Sequence, residues 1–378
     1  MRSSIISLLA CILTFALCGP SYSTSFTPLG FLNPNSVFRS SVALGVSDDG
    51  STVVGTDRSG SSPSAVSWDG ANEIQELVPM TGGGFIASSA NAISADGSTI
   101  AGRTDGFDLQ ATLWDAAHGI RRLGNLPGAF SSEALAISAD GTRVVGKDSN
   151  SSRTEAFIWD TANGMQGLGD LPGGNFFSQA NGISGDGSIV VGLASTASGN
   201  EAFIWDAANG MQGLGDLSGG RIFSQAKAIS ADGSTVVGLS SSDSGYESFI
   251  WDATNGMRGL GDLPGGSFYG EALGVSGDGS IVVGKSFGES GLSEAFIWDS
   301  ASGMQSLQVL LSSLGVDLTD WQLWTAYGIS ADGTTIIGSA RNPDGFTEAF
   351  VAVIPEPSTA LLFGFGLIGL GARRRALG

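Results

Sequence analysis

The feature that most constrains the fold is a stretch that recurs along the chain. EAFIWDAANGMQGLGDL, at residues 201–217, returns almost unchanged as EAFIWDTANGMQGLGDL from Glu155 and as ESFIWDATNGMRGLGDL from Glu247. A looser copy starts at Glu294, and a more divergent copy covers residues 111–126. Repetition at a fixed period of some tens of residues is typical of architectures that copy one supersecondary unit.

Each repeat also contains the pattern Ser-x-Asp-Gly. Its aspartates are Asp49, Asp96, Asp140, Asp186, Asp232, Asp278 and Asp332, and their spacings are 47, 44, 46, 46, 46 and 54. Asp-Gly between two runs of β-branched residues predicts a hairpin, because glycine accepts a positive φ and aspartate bonds its own backbone. A short apolar strand ending in glycine follows, as at 144–146.

The Ala-Phe-Ile-Trp segment of each repeat predicts a third strand, and the Leu-Gly-Asp-Leu segment predicts a fourth. In the third strand Phe157 and Trp159 point to one face and Ala156 and Ile158 to the other, so both faces need cover. Four such strands cannot bury themselves alone, whereas radial packing of several units can bury them all. We therefore predict an all-β fold, a β-propeller of four-stranded blades.

The repeat count predicts seven blades. The first three strand patterns occur seven times, but no fourth strand follows Phe350. Residues 26–32 contain Leu-Gly-Phe-Leu, which matches Leu-Gly-Asp-Leu and stands before the first repeat. This N-terminal strand is predicted to join the last blade and close the ring without an unpaired edge. A linear β-solenoid is the alternative, although it gives no reason for complementary halves at the two ends.

The N-terminus predicts a secretory signal peptide at residues 1–23. Arg2 precedes a short apolar run from Ile5 to Leu17, and Ser21-Tyr22-Ser23 offers small residues for a signal peptidase. A membrane anchor is disfavoured because the run is short, and a lipoprotein box at 8–11 lies too early in it. Cys11 and Cys18 both lie in this segment, so the mature chain has no thiol for disulfides or thiolate chemistry.

The C-terminus has three parts in order, which are Pro355-Glu356-Pro357, an apolar run at 359–372, and Arg373-Arg374-Arg375. Fourteen helical residues span about 21 Å, less than the roughly 30 Å of a hydrocarbon core. Residues 354–378 resemble the PEP-CTERM sorting signal of bacterial exported proteins. The resemblance implies processing by an exosortase-type protease, transient membrane association, and export to the surface or matrix of a Gram-negative-type bacterium. An ordinary tail anchor is the alternative.

The repeats resemble the extracellular HAF-repeat family, with Glu-Ala-Phe at 155, 201, 294 and 348 in place of His-Ala-Phe. The wider pattern AFIWD…GMxxLGDLPGG…GISxDGSxVVG covers residues 26–353, within a predicted propeller domain at 24–353. This resemblance implies an exported repeat protein and does not imply an activity.

The composition argues against several chemistries. A net charge of -19 disfavours nucleic acid as a partner. The single histidine, His118, occupies a turn position held elsewhere by Asn163 or Asn209, so we predict no zinc site and no His-based triad. The serines recur in every repeat and are structural. No catalytic residue and no organic cofactor is predicted.

Carboxylates on one face of the ring are weak candidates for Ca²⁺ ligands. They are Asp96, Asp140, Asp186, Asp232 and Asp278. A second set consists of Glu155, Glu201, Glu247, Glu294 and Glu348. Clustered oxygen ligands attract Ca²⁺, which is plentiful outside cells. The alternative is that Asp-Gly only makes turns and that the glutamates are solvated.

An insertion separates the sixth and seventh repeats at residues 308–326. Trp321 and Trp324 lie in it, outside the repeat pattern. They predict either a local cap over the last blade or an aromatic surface that contacts a partner.

The leading hypothesis is therefore an exported, non-enzymatic binding and structural module, with polysaccharide or other surface proteins as partners. The alternative is a secreted carbohydrate-active hydrolase, which needs two carboxylates at a defined separation. Asp317 and Asp320 are acids outside the repeat on which this alternative can be tested.

Overall fold

The computed structural model describes residues 23–70, 73–77, 87–106 and 108–354. The apolar N-terminal run and, beyond its first residue, the predicted sorting segment at 354–378 lie outside the described residues. Within the described part, no helix is both long and apolar enough to cross a membrane.

Twenty-eight strands and one short helix make up the described chain. The first half contains β1 (Ser25–Pro28), β2 (Ser41–Val46), β3 (Val53–Asp57), β4 (Ser64–Trp68), β5 (Ile74–Glu76), β6 (Ser88–Ile93), β7 (Thr99–Asp105), β8 (Leu109–Asp115), β9 (Gly119–Arg122), β10 (Ser131–Ile137), β11 (Arg143–Ser149), β12 (Thr154–Asp160), β13 (Gly164–Gly167) and β14 (Gly173–Ile183). The second half contains β15 (Ile189–Thr196), β16 (Gly199–Asp206), β17 (Gly210–Gly213), β18 (Gly219–Ile229), β19 (Val236–Ser242), β20 (Gly245–Asp252), β21 (Gly256–Gly259), β22 (Gly265–Val275), β23 (Ile281–Gly288), β24 (Ser293–Asp299), β25 (Gly303–Ser306), α1 (Leu307–Ser313), β26 (Gln322–Ile329), β27 (Thr335–Arg341) and β28 (Thr347–Val353).

Each repeat folds as four antiparallel strands, and β14 to β17 show why. The Asp-Gly turn at 186–187 joins β14 to β15, and its aspartate accepts hydrogen bonds from the Ser184 hydroxyl at 2.7 Å and the Ser188 amide at 2.9 Å. The Asp206 carboxylate accepts from the Asn209 amide at 2.8 Å in the turn between β16 and β17. Polar side chains thus fix both turns at the same end of the unit, as the sequence predicted.

Antiparallel pairing sorts the described strands into seven groups of four. The first group is β2–β5, the second β6–β9, the third β10–β13, the fourth β14–β17, the fifth β18–β21 and the sixth β22–β25. The seventh group combines β26–β28 with β1.

The N-terminal strand supplies the fourth strand of the seventh group. β1 pairs with β28 in register from Ser25↔Val353 to Pro28↔Phe350. The Leu29 amide donates to the Ala349 carbonyl at 2.9 Å, which repeats the bond that Leu214 makes to Ala202 in the fourth group. The N-terminal Leu-Gly-Phe-Leu segment therefore takes the place in the seventh group that Leu-Gly-Asp-Leu has in the other groups, as the sequence predicted.

The groups contact one another in chain order, and the seventh group also contacts the first. This last contact joins β2 of the first group to β26, β27 and β28 of the seventh. The Asp-Gly turns are also joined by backbone hydrogen bonds of 2.9–3.2 Å, each passing from one group to the next. These bonds run from Asp48 to Ala95, Ala95 to Ala139, Ala139 to Gly185, Gly185 to Ala231, Asp232 to Gly277, and Gly277 to Ala331.

The hydrophobic core lies between neighbouring groups. Phe203 of the fourth group is fully buried and packs with Val190 of its own group and with Val145 and Ala156 of the third. Equivalent phenylalanines are buried at 157, 249, 296 and 350. A buried side chain of this size contributes roughly 1.5–3 kcal/mol. No group could keep this burial alone, so the ring is the stable unit.

The two ends of the strands define two faces of the ring. The Asp-Gly face carries the Asp-Gly turns and, in the first six groups, the turns between the third and fourth strands. The loop face carries the hairpins between second and third strands, the connections between groups, and α1.

The insertion before β26 packs onto the seventh group. The Ser306 hydroxyl accepts from the Val309 amide at 3.2 Å and caps α1, and Leu307 and Leu311 are fully buried. Trp321 packs edge-on against Phe26 of β1, with 5.1 Å between the ring centroids. These contacts support the cap interpretation of the insertion.

Candidate functional site

The aspartates of the Asp-Gly face are held as turn residues. In the second group, Asp96 accepts from the Ser94 hydroxyl at 2.7 Å and the Ser98 amide at 2.9 Å. These bonds stabilise the ionised form and lower the pKa of Asp96 to about 2. The same arrangement, led by Ser188, lowers the pKa of Asp186 to about 2, and the pKa values of Asp140, Asp232 and Asp278 are also lowered.

The predicted Ca²⁺ ligands are therefore ionised, but they do not share a site. Across the described ranges, no three His, Cys, Asp or Glu side chains lie close enough together to hold one metal ion. Each aspartate instead belongs to its own turn. Calcium binding by Asp96, Asp140, Asp186, Asp232 and Asp278 stays a prediction.

The repeated glutamates bond the backbone of the loop face. Glu201 accepts from the Gly215 amide at 2.8 Å and Glu247 from the Gly261 amide at 3.0 Å. Glu348 accepts from the Gly30 amide at 3.0 Å, so it holds the N-terminal strand in the same way. Glu155 pairs with Arg153 at 3.2 Å, and Glu294 accepts from the Ser306 hydroxyl. Glu201, Glu247 and Glu348 therefore each fix the Leu-Gly segment that leads to the next group.

Exposed apolar side chains concentrate on the loop face. Among the described residues, nine large hydrophobic side chains are exposed; six lie in its connections, hairpins or insertion, and three lie in strand ends that reach this face. The nine are Val37, Phe38, Phe130, Phe176, Ile222, Tyr246, Leu292, Val309 and Leu314. Contiguous exposed apolar side chains mark contact surfaces, so the two faces differ in what they can bind.

Within the loop face, three junctions between groups are bridged by parallel strand pairs. The bridged residues are Thr154 with Phe177, Asn200 with Phe223, and Tyr246 with Tyr269. They join the third group to the fourth, the fourth to the fifth and the fifth to the sixth. We call these six residues the loop-face arc. The long first strands β14, β18 and β22 produce it, because their N-terminal halves reach over the preceding group.

One end of the arc is an aromatic cluster. Phe223 contacts Tyr246 edge-on at 5.5 Å between centroids, and Tyr246 contacts Tyr269 at 6.3 Å. Tyr269 stacks on Phe287 at 5.0 Å. Tyr246 remains 42% exposed, so a ring of this cluster faces solvent.

The other end of the arc is a polar cleft of about 580 Å³. Its lining includes Asn150, Arg153, Asn175, Phe176 and Asn200. The Arg153 guanidinium lies 5.4 Å from the centroid of the Phe176 ring. A volume of this size is within the range of small-molecule sites.

A buried carboxylate lies beneath the aromatic cluster. Glu271 is 8% exposed and pairs with Lys227 and Lys285, each at 2.9 Å, while the Tyr269 hydroxyl donates to it at 3.3 Å. Burial favours its neutral form, but the two lysines outweigh burial and lower the pKa of Glu271. The pKa of Lys285 is raised because its bonds to Glu271 outweigh burial.

A second carboxylate has the same arrangement in the third group. Glu133 pairs with Arg103 at 3.3 Å and with Lys147 at 3.2 Å. Sequence reasoning missed both clusters. The signal was present, because Glu133 and Glu271 occupy the repeat position that holds Gln179 and Gln225 in the groups between them.

The other residues singled out from the sequence are dispersed. Trp324 lines a cavity of about 260 Å³ with Leu292 and Val309. The amide and hydroxyl of Thr319 donate to the Asp317 carboxylate and lower its pKa. Asp320 adopts a φ of 63°. His118 lies in the turn after β8, with its amide donating to Asp115 at 2.6 Å. Partner contact through Trp321 and Trp324 stays a prediction, although Trp321 is partly committed to the core.

Comparison with known proteins identifies a sorting motif at the C-terminus and finds solved structures of similar fold. Residues 353–375 match the model of the PEP-CTERM protein-sorting motif. The C-terminal segment carries a PEP-CTERM sorting motif. The motif points to export and to a cell-surface or extracellular location. No curated protein sequence matches this chain. The resemblance of the repeats to the HAF family stays a prediction.

Several solved structures are similar to this one. An oligogalacturonate lyase in complex with manganese has a TM-score of 0.56 at 12% identity, over 89% of this chain and 98% of that chain. The oligogalacturonate lyase from Vibrio parahaemolyticus has a TM-score of 0.53 at 11% identity, over 89% and 99% of the chains. A puromycin hydrolase mutant complexed with PGG has a TM-score of 0.55 at 16% identity, over 87% of this chain and 55% of that longer chain. At such identities only the fold is shared, and that fold is all-β and β-propeller-like.

Proposed function

We propose that the protein is an exported, seven-bladed β-propeller that acts as a non-enzymatic binding and structural module at the cell surface or in the extracellular matrix. The observation that carries the proposal is the position of the PEP-CTERM motif. The motif begins at residue 353, the last residue of the strand that closes the ring. The sorted cargo is thus the ring itself.

The proposed domains are a signal peptide at 1–23, the propeller at 24–353 and the sorting segment at 354–378. Seven groups of four strands and contacts between the seventh and first groups support the seven-bladed ring. A solenoid would leave those terminal groups without each other as neighbours.

A non-enzymatic role is supported by how the acids are used. The repeated aspartates and glutamates bond turns and loops, as described above. Glu133 and Glu271 each pair with two cations. For Glu271 the two lysines lower the pKa, which makes it a poor general acid. Burial raises the pKa of Asp148 to about 6, but its side chain is only 2% exposed and already accepts from the Leu126 amide at 3.1 Å.

The proposed processing partner is an exosortase-type membrane protease of a Gram-negative-type bacterium. The apolar run at 359–372 would provide transient membrane association, with Arg373, Arg374 and Arg375 retained on the cytoplasmic side. The proposed contacts of the mature ring are polysaccharide or other surface proteins, through the loop face.

The test of this function uses the full chain in its host. The native chain is expected in the surface and matrix fractions, and the mature protein recovered from culture is expected to bind isolated matrix. A variant with Pro355→Ala, Glu356→Ala and Pro357→Ala is expected to accumulate unprocessed in the membrane fraction. Unchanged distribution of this variant, or failure of the mature protein to bind matrix, would overturn the proposal.

The alternative, a secreted carbohydrate-active hydrolase, is favoured by a cavity of about 380 Å³ whose lining includes Asp320, Trp321 and Arg341. Glycoside hydrolysis requires two carboxylates at a defined separation. Matrix polysaccharides incubated with the mature protein are expected to release no reducing ends. Release that disappears in Asp317→Asn or Asp320→Asn would establish the hydrolase instead.

A further inference from the structure

We propose that the loop-face arc, together with the aromatic cluster and the polar cleft at its ends, binds one strand of polysaccharide. This inference rests on the proposed binding function and names the ligand class and the site. The arc comprises Thr154, Phe177, Asn200, Phe223, Tyr246 and Tyr269.

The shape of the arc suits an extended ligand. Its three bridged pairs follow one another across consecutive junctions of the ring, with the cleft at the first junction and the aromatic cluster at the last. A compact small molecule would fill only the cleft. A linear chain of sugars can contact several junctions at once, because successive sugar units can meet successive bridged pairs of the arc.

The aromatic cluster supplies apolar faces for sugar rings. Phe223 and Tyr269 hold Tyr246 from two sides by edge contacts, which fixes the orientation of its exposed ring. A fixed aromatic ring binds with little loss of side-chain entropy. Pyranose rings present patches of C–H groups that pack on such rings, while their hydroxyls point sideways.

The cleft supplies partners for hydroxyl groups. Asn175 and Asn200 carry amide groups, each with both donors and acceptors, and Arg153 adds a planar guanidinium. Asn150 is already engaged, because its side chain accepts from the Ser152 and Arg153 amides. Sugar hydroxyls both donate and accept, so amides match them better than an apolar lining would. The Ser195 hydroxyl donates to the side-chain oxygen of Asn200 at 2.8 Å, which fixes the orientation of that amide group.

The charge beneath the cluster permits a carboxylated sugar as well as a neutral one. Lys227 and Lys285 share the single carboxylate of Glu271, which leaves one net positive charge under the aromatic rings. The chain as a whole is acidic, at -19, so this local sign is an exception. Such a local charge acts over about 8 Å at physiological salt, which is enough for a bound sugar carboxylate.

The mixture of rings and polar groups favours a sugar chain over a protein or a second copy of this chain. Protein interfaces are depleted of charged residues at their centre. The arc instead has an ion-paired carboxylate under its rings and amides at its other end. A protein partner and self-association become outcomes of the test.

The experiment measures binding of two hexasaccharides, one of neutral glucose and one of galacturonate, to the mature protein by isothermal titration calorimetry. Tyr246→Ala is the test variant. Phe130→Ala is the matched control, because Phe130 is also an exposed aromatic residue of the loop face, at 53%, but lies outside the arc. Lys285→Met reports on the charge, and circular dichroism checks that each variant folds.

At least one hexasaccharide is expected to bind, with affinity reduced about tenfold by Tyr246→Ala and unchanged by Phe130→Ala. If the galacturonate arm is the one that binds, Lys285→Met and added salt should weaken it. Equal losses in both aromatic variants, or no binding of either sugar, would overturn the inference. If the protein binds matrix but neither hexasaccharide, or if the variants change only the oligomeric state, the sugar site is rejected and the proposed binding function remains. If the protein binds neither matrix nor sugar, the proposed function is rejected too.

Discussion

At the scale of single residues, the glycine inside each second strand is required by its contacts; the sequence predicted that the strand would end there, but it continues beyond the glycine. Gly192 pairs with Ala180 next to the bulge in β14. A Cβ at Gly192 would overlap the Gln179 carbonyl oxygen and lie 2.8 Å from the Phe203 ring. The close approach lets that ring cover the strand, so the small residue and the buried aromatic residue depend on each other.

Gly192→Ala should therefore be severely destabilising. The expected loss in the free energy of unfolding is about 3 kcal/mol or more, because the obstructing atom belongs to the backbone. Gly210→Ala is the control, since Gly210 has a φ of 70° and no atom lies within 4 Å of the place that a Cβ would occupy there. It should lose only about 1–2 kcal/mol. Urea unfolding measures both, and equal losses would contradict the argument.

The turn aspartates should make stability depend on acid. Hydrogen bonds hold the pKa of Asp186 at about 2, below its ordinary value of 3.8. Its stabilising contribution is present above pH 4 and is lost as the pH falls toward 2. Asp186→Asn should lose about 0.5–1 kcal/mol at pH 7, given its exposure to solvent. Thermal melts from pH 7 to pH 2 should show the melting temperatures of the native protein and the Asp186→Asn variant converging. A difference in melting temperature that grows on acidification would contradict this prediction.

The sequence predicts these turn residues because their partners are two residues away. It does not predict Glu271 as a site residue, because Lys227 comes from the neighbouring group and meets Glu271 only after the groups pack. Tyr246 and Tyr269 are likewise separated by about half a repeat. Local patterns specify local bonds, whereas contacts between groups require the geometry of the ring.

At the scale of elements, β1 is held by both strand pairing and side chains. Phe26 lies 5.5 Å from Phe350 of β28 and 5.1 Å from Trp321 of the insertion, measured between ring centroids. The cap and the closing strand therefore stabilise one another. The sequence predicts the strand from complementary halves, but it leaves the role of the insertion open because Trp321 has no counterpart in the repeat.

Phe26→Ala should weaken the closed ring. The expected loss is about 2 kcal/mol, since the side chain is partly buried between two aromatic rings. Phe38→Ala removes a side chain that is 85% exposed and should change the free energy of unfolding by less than about 0.5 kcal/mol. Differential scanning calorimetry distinguishes the two. A Phe26→Ala melting temperature equal to that of Phe38→Ala would show that β1 is dispensable.

At the scale of the whole molecule, both described ends of the chain lie at the Asp-Gly face. Ser25 pairs with Val353, and the Ile354 amide donates to the carbonyl of Thr334, next to an Asp-Gly turn, at 2.8 Å. While the sorting segment is attached and held in a membrane, the Asp-Gly face should face the bilayer. The loop face should then be directed away from it.

Single cysteines can test this orientation, because Cys11 and Cys18 are the only cysteines of the chain. In membranes that hold the unprocessed protein, Leu292→Cys on the loop face should react with a polyethylene-glycol maleimide as fast as in the released protein. Ala208→Cys, in a turn of the Asp-Gly face, should react several times more slowly before release. Equal rates at both positions, or the reverse order, would contradict the orientation.

The pairing of β1 with β28 also sets the order in which a secreted chain can fold. Each strand of the middle groups pairs with strands that are synthesised shortly before or after it. Ser25, in contrast, pairs with Val353, which is synthesised more than 300 residues later. Contacts so distant in sequence form slowly. The first strand to be synthesised is therefore the last to find its place. Since the matched motif starts at residue 353 itself, a protease that removed the sorting segment would have to cut beyond residue 353 to leave the pairing of β1 with β28 intact.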